Sequence, residues 1–269
     1  MDSSTEMVTC YRHPTREAPL RCTRCDRPIC LEDSIDAPVG FLCPDDARQS
    51  PRVRRAQAAF DGSRPITMGL LGAIAIVFIL QQLPGADGTV ERALWLYGPD
   101  VAGGSWWRIV TSGFIHFGII HVAFNSYMLW QLGGQLEGVL GRAAFAGVYL
   151  AGLLGGAAGA IALEFGSPAG GASGAVFGLI GAGLLLMRQR GVAPMRSSLG
   201  QLLLFNIVFT FVVPNISIGG HAGGLIGGGL AFLALGAARD HQRNAWRAVL
   251  VAVGLGVAAV ILSRVMGSF

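Results

Sequence analysis

Seven stretches of this 269-residue chain are apolar, essentially free of formal charge and long enough to cross a bilayer, which leaves few folds open to it. A hydrocarbon core about 30 Å thick takes about 20 mostly apolar residues per helix, and it offers no water to an unpaired backbone. Residues 66–86, 109–136, 143–163 and 165–187 supply four such stretches. Residues 197–238 carry no charge and suffice for two more, with Pro214-Asn215 and Gly219-Gly220 marking the turn between them. The last, about 245–265, spans if Arg247 and Arg264 reach outward to the headgroups. The expectation is an all-α polytopic membrane protein. Charged residues make up only 13%, against about 25% in soluble domains. The 40 glycines suit helices that approach one another closely. A net charge of +4 gives no reason to invoke nucleic acid.

Arginine placement predicts the orientation. The arginines from Arg48 to Arg64, Arg142, Arg188 to Arg196 and Arg239 to Arg247 fall on one side of the seven stretches; Arg92, Arg108 and Arg264 fall on the other. The richer side is expected to be cytoplasmic. The N-terminus is then inside a cell membrane and the C-terminus outside. The first apolar stretch begins near Ile66, too far along for a secretory signal peptide.

This topology puts two glycine-flanked polar residues at similar depth near the outer surface. Gly171-Ala172-Ser173-Gly174 lies near the start of the fourth stretch, and Gly220-His221-Ala222-Gly223-Gly224 near the start of the sixth. A serine hydroxyl attacks only when a base takes its proton, and a neutral imidazole suits that task. Glycines repeating at i, i+4 (Gly174 and Gly178; Gly220, Gly224 and Gly228) would let the two helices cross tightly. Alone, Ser173 reads as a membrane serine bonded back to its own helix. His221 alone reads as functional, because an ionisable group in a span is costly, but a proton path or a metal would also explain it. Together they point to an intramembrane serine hydrolase.

The second stretch adds His116, His121 and Asn125. His121 and Asn125, at i, i+4, share a face, and both can donate to a tetrahedral oxyanion. The Ser173 amide, at a helix N-terminus, is a third candidate donor. The bland alternative is that this pair glues helices together. A zinc site of His116, His121 and His221 is disfavoured, because His116 and His121 five apart on a helix would diverge by about 140°. A transporter would call for charged or unwound midplane residues.

These residues resemble the rhomboid family of intramembrane serine proteases, over roughly Ile66 to Ala238. The family's GxSG motif reads Gly171-Ala172-Ser173-Gly174. Its H-x-x-x-x-H-x-x-x-N pattern reads His116, His121 and Asn125. Its sixth-helix histidine reads His221, followed by Gly224 and Gly228, and its first-loop Trp-Arg pair reads Trp107-Arg108. The resemblance implies a six-helix core plus a seventh C-terminal transmembrane helix. It implies Ser173 as nucleophile, His221 as general base, and His121, Asn125 and the Ser173 amide as the oxyanion hole. Gly171, Gly174, His116, Phe177, Trp107 and Arg108 would support them. No catalytic cofactor is implied. Partners would be the lipid bilayer and single-span membrane substrates, cut in or near the transmembrane helix on the extracytoplasmic side. The fifth helix, about 199–213, is a candidate lateral gate, or plain lipid-facing surface. Many bacterial members carry Tyr four residues after the serine, stacked on the histidine; here it is Phe177. Ser112 stands where relatives often have His. The alternative is a catalytically inactive relative that binds transmembrane clients.

All five cysteines precede the first span, in pairs at metal-ligand spacing. Cys10-x-x-His13 and Cys22-x-x-Cys25 are followed by Cys30-x-x-Asp33 and Cys43-x-x-Asp46. Alternate pairing would make one site of Cys10, His13, Cys30 and Asp33, and a second of Cys22, Cys25, Cys43 and Asp46. This resembles B-box-type cross-braced zinc modules, with one or two ions, or none if the module is degenerate. The expected organisation is a cytoplasmic zinc-binding module at 1–46, open to a cytoplasmic protein partner, and a basic linker at 47–64. The catalytic core follows at 65–238, and a cytoplasmic loop with the seventh helix at 239–269.

Overall fold

The computed structural model describes residues 8–36, 40–47, 64–85, 88–196, 198–212, 216–236 and 241–268. The expected basic linker, apart from Ala47 and Arg64, and the Pro214-Asn215 turn lie outside the described residues. Contacts divide the chain into two compact units. One holds Met1–Ser63 with Leu184–Gly200; the other holds Arg64–Gly183 with Gln201–Phe269.

In the first unit two short antiparallel hairpins support the cysteine pairs that follow Cys10 and His13. β1 (Leu20–Arg21) pairs with β2 (Pro28–Ile29), and β3 (Ile35–Asp36) with β4 (Phe41–Leu42). A 3-10 turn at Leu31–Asp33 and the one-turn helix α1 (Pro44–Ala47) complete the module. Its apolar interior is small: Leu20, Cys22, Ile29 and Cys43 form one cluster, and Cys10, Ala18 and Cys30 another. Cores of this size seldom fold without disulfides or metal, and all five cysteines are free thiols.

The second unit is helical. α2 (Pro65–Gln81) is followed by three short helices, α3 (Thr89–Leu94), α4 (Gly98–Ala102) and α5 (Arg108–Thr111). Then come α6 (Ile119–Leu140), α7 (Arg142–Glu164), α8 (Ser173–Gln189), α9 (Ser198–Val212), α10 (Ile218–Leu235) and α11 (Ala245–Met266), the end of α8 from Leu184 and the start of α9 up to Gly200 being counted with the first unit. Seven apolar helices thus answer to the seven stretches. Among the described residues, α7, α10 and α11 are long and apolar enough to cross a membrane, and α6 joins them if counted with its bent neighbour. α2, α8 and α9 are apolar but shorter; at 1.5 Å per residue, 17 residues cover about 26 Å.

Two expectations need correcting. The stretch 109–136 is not one helix: the segment Arg108–Phe114 meets α6 at a 96° bend. Gly118, at φ +104°, makes the corner, a backbone state that side chains other than hydrogen seldom adopt. His116 therefore sits in the corner and not on the helix. The stretch 165–187 also starts late, since its helix begins only at Ser173. Residues 165–172 form a loop tied to the preceding segments by Leu96–Ala169 bridging and by Gly171 N donating to Ser112 O at 2.8 Å.

α7 sits at the centre of this unit, and glycines explain why. A Cβ on Gly155 would lie 2.6 Å from Gly223 O, and one on Gly156 2.9 Å from Gly220 O, both on α10. A Cβ on Gly178 of α8 would lie 2.6 Å from Gly152 Cα. Backbones meet directly, as small-residue faces in membranes permit. α11 buries a stripe of small residues, Ala245, Ala248, Ala252, Gly256, Ala259 and Ser263, and turns Val249, Leu250, Val253, Val257 and Ile261 outward.

Candidate active site

Ser173 is the first residue of α8, half-buried, with Ala172 O accepting the first intrahelical bond from Val176 N. Its N–H is among those that an α-helix leaves without an internal acceptor. The approach to it is fixed by Gly171, whose φ of +126° belongs to glycine. Space points the same way: a Cβ there would lie 2.8 Å from His121 Nε2 and 3.9 Å from Asn125 Nδ2. His121 and Asn125 therefore face the segment leading into Ser173. Asn125 is buried and donates to His121 O at 3.1 Å. His121 Nδ1 accepts from Phe117 N at 3.4 Å, so a neutral ring carries its proton on Nε2, the nitrogen nearest Gly171.

His116 is buried, and its Nε2 accepts from Ala172 N at 3.4 Å. The expectation that His116 and His121 diverge was wrong. Their rings meet edge-on with centroids 5.0 Å apart, because the bend folds one over the other.

His221 is the fourth residue of α10 and is buried. Phe177, one turn along α8 from Ser173, stacks on it with centroids 4.1 Å apart and planes 18° apart. Gly224 of α10 allows this closeness: a Cβ there would run into the Gly174 backbone of α8, lying 2.7 Å from its carbonyl carbon. α8 and α10 thus present Ser173 and the His221–Phe177 stack near their starts.

In the first loop, the Arg108 side chain is 12% exposed and makes three contacts: to Arg92 O at 2.6 Å, to Trp95 O at 3.1 Å and to Asp100 at 3.2 Å. It pins the loop, where a plain interfacial arginine would point to headgroups. Trp107 is exposed and packs edge-on against Trp106.

A family model described as a Rhomboid domain matches residues 103–238. The chain is 32% identical over 169 residues to the putative rhomboid protease YdcA of Bacillus subtilis (strain 168), covering 61% of this chain and 85% of that one. The chain belongs to the rhomboid family. It is also 33% identical over 220 residues to the rhomboid protease GluP of the same organism, covering 78% of this chain but only 43% of the longer relative. To the rhomboid protease GlpG of Enterobacter sp. (strain 638) it is 31% identical over 175 residues, 62% of each. The chain thus spans less than half of GluP and under two thirds of that GlpG.

Three polar contacts that hold the helix ends were not read from the sequence, two of them beside the candidate site. Gln81 closes a reciprocal pair with the His116 backbone, Nε2 to O at 3.0 Å and N to Oε1 at 3.1 Å. Glu164, last in α7, accepts from Ser217 Oγ and from Gly219 N at 3.1 Å, and so caps the turn that carries His221. Glu137 does the same for α2, accepting from Ile66 N, Thr67 N and Thr67 Oγ1 at 2.7–3.1 Å. Glu137 and Glu164 each follow directly on an apolar stretch, which is the only signal the sequence offered, and Gln81 lies inside one.

The module brings the eight metal-site candidates into two groups. Cys10, His13, Cys30 and Asp33 have their ligand atoms within 4.8 Å of one another, and so do Cys22, Cys25, Cys43 and Asp46. Tetrahedral zinc, with Zn–S near 2.3 Å and Zn–N near 2.0 Å, holds its ligands about 3.3–3.8 Å apart. Here the pairs include Cys30 Sγ–His13 Nδ1 at 3.5 Å, Cys25–Cys43 sulfurs at 3.7 Å and Cys22 Sγ–Asp46 Oδ2 at 3.1 Å. Backbone amides back the sulfurs, Cys43 N on Cys22 Sγ at 3.2 Å and Asp46 N on Cys43 Sγ at 3.4 Å. The donor set, its spacing and this support all fit the ion. Burial pushes the Cys25 and Cys43 thiols up. Burial also acts to raise Asp46, but hydrogen bonds from the Cys25, Cys22 and Cys43 thiols outweigh it and hold that carboxyl below its usual range.

Proposed function

We propose that this rhomboid-family protein is an intramembrane serine protease acting on transmembrane protein substrates. The observation that carries the reading is the convergence on one segment: His116, His121 and Asn125 ring residues 171–172, while Phe177, on the same helix as Ser173, seats His221.

In this reading Ser173 Oγ attacks the scissile carbonyl carbon and His221 takes the hydroxyl proton. The carbonyl oxygen becomes an oxyanion and accepts hydrogen bonds from His121 Nε2–H, Asn125 Nδ2 and the Ser173 amide, at the positive end of α8. His221 returns the proton to the leaving amine as the C–N bond breaks. Water then hydrolyses the acyl-enzyme, its proton passing to His221 and on to Ser173. A substrate helix must first unwind, since its hydrogen bonds shield the target carbonyl, and Gly or Pro near the cut lowers that cost. The site opens to the extracytoplasmic side, with the module inside the cell.

The module is a zinc-binding unit with two ions, held by Cys10, His13, Cys30 and Asp33 and by Cys22, Cys25, Cys43 and Asp46. The ions act structurally, replacing the core the module lacks.

Labelling with a fluorophosphonate tests the nucleophile. The adduct should map to Ser173 and vanish in His221→Ala; an adduct on another serine, or none, contradicts the reading.

A further inference from the structure

α9 is apolar nearly throughout, yet it turns two polar residues inward. Leu199, Leu203, Asn206 and Thr210 form its buried stripe, while Leu204, Phe205, Ile207 and Val208 are exposed. Asn206 has an ordinary helical use for its polarity, donating from Nδ2 to Leu202 O at 2.8 Å. Thr210 does not stop there. Its Oγ1 lies 2.7 Å from Asn206 O and also 2.7 Å from His221 Nδ1.

Hydrogen counting decides the direction of the second contact. A threonine hydroxyl has one hydrogen and two lone pairs, and a backbone carbonyl only accepts. The single hydrogen goes to Asn206 O, so Thr210 Oγ1 must accept from His221 Nδ1–H. A neutral His221 then bears its proton on Nδ1 and keeps the Nε2 lone pair free. That is the form a general base needs when its Nδ1 edge faces α9.

We infer that Thr210 is a positioning residue of the dyad: its hydroxyl, oriented by Asn206 O, fixes the tautomer and tilt of His221. The inference rests on the protease reading above. With Phe177 holding the face of the ring and Thr210 its edge, both remaining degrees of freedom of the imidazole are set. As His221 takes the Ser173 proton, its ring becomes cationic and the bond to Thr210 strengthens, which is where a positioning contact assists the step. Serine proteases with an acidic third group reach the same end by other means; a neutral acceptor orients the ring without placing a carboxylate in the membrane.

Thr210→Val keeps the shape and removes the hydroxyl, and Thr210→Ser restores the hydroxyl. In the full chain in detergent or liposomes, with a reporter transmembrane substrate, Thr210→Val should lower kcat roughly 10–100-fold, the span of one hydrogen bond to a charged group. KM should stay within about twofold, since substrate binding is untouched. Thr210→Ser should recover most of the rate. Thr210→Val with wild-type kcat, or Thr210→Ser as slow as Thr210→Val, overturns the inference. A second measurement stands apart from activity. In the 15N spectrum of histidine-labelled protein, the signals lost in His221→Asn should show a neutral ring protonated at Nδ1, with Thr210→Val mixing the tautomers. A wild-type His221 protonated at Nε2 overturns the inference. A wild type that neither cleaves nor labels overturns the protease reading instead, and the tautomer still judges Thr210.

Discussion

Phe177 lies flat on His221, with ring centroids 4.1 Å apart and planes 18° apart. A phenyl ring therefore does the stacking at a position where many rhomboids have tyrosine, with Thr210 on the imidazole edge. Stacking at this distance contributes about 0.5–1.5 kcal/mol beyond burial. Phe177→Ala should lower kcat by about tenfold and leave a cavity, while Phe177→Tyr should keep near wild-type rates. Steady-state kinetics on one reporter substrate compares the two.

Gly171 has two reasons to be glycine, its φ of +126° and the nearness of His121. Gly171→Ala should abolish measurable turnover and cost about 1–3 kcal/mol for the backbone alone. Gly166 in the same loop has open space around it, and Gly166→Ala should behave as wild type. Paired activity and thermal-unfolding curves separate a local effect from general loop sensitivity.

Arg108 ties three points of the first loop from a nearly buried position. Arg108→Ala should destabilise by about 1–3 kcal/mol, because it removes a charged donor from the part-buried Trp95 carbonyl and releases Arg92 and Asp100. Arg108→Lys should recover only part, since an ammonium lacks the planar fork. Tm in detergent reads both.

Glu164 caps the start of α10, accepting from Ser217 and Gly219, four and two residues before His221. Losing such a cap costs about 1 kcal/mol of helix stability. Glu164→Ala should reduce kcat by more than that loss explains, and Glu164→Gln, which keeps an acceptor, should fall between. Tm and kcat measured on the same preparations test the ordering.

The module should carry two zinc ions per chain. Elemental analysis should give that ratio for the full-length protein. Cys22→Ser with Cys43→Ser should lose at least one ion and loosen the module, because metal binding is what folds so small a core. Protein purified without zinc would count against the assignment.

Much of the helical layout was legible, because charge-free stretches of bilayer length have few alternatives. The bend before α6 was not. Residues 109–136 carry no charge at the corner, and Gly118 alone hinted at it, so His116 was placed on a helix face it does not occupy. The meeting of Ser173's segment with His121 and Asn125 was readable from i, i+4 spacing and the glycines at 171 and 174. Thr210 was not readable, since a threonine in a membrane helix usually bonds back to its own turn. Thr210 does that as well, and only the fold reveals the second contact. Glu137 and Glu164 looked like the ends of spans because nothing local says which distant helix start they cap.

In the proposed mechanism Ser173 and His221 form a proteolytic dyad within the membrane. Cleavage of a reporter transmembrane protein by the purified chain in liposomes tests it most directly. The wild type should cleave, at a rate reduced by roughly a thousandfold or more in both Ser173→Ala and His221→Ala. Cleavage that persists in Ser173→Ala, or a wild type that cuts none of a diverse substrate set, would contradict it.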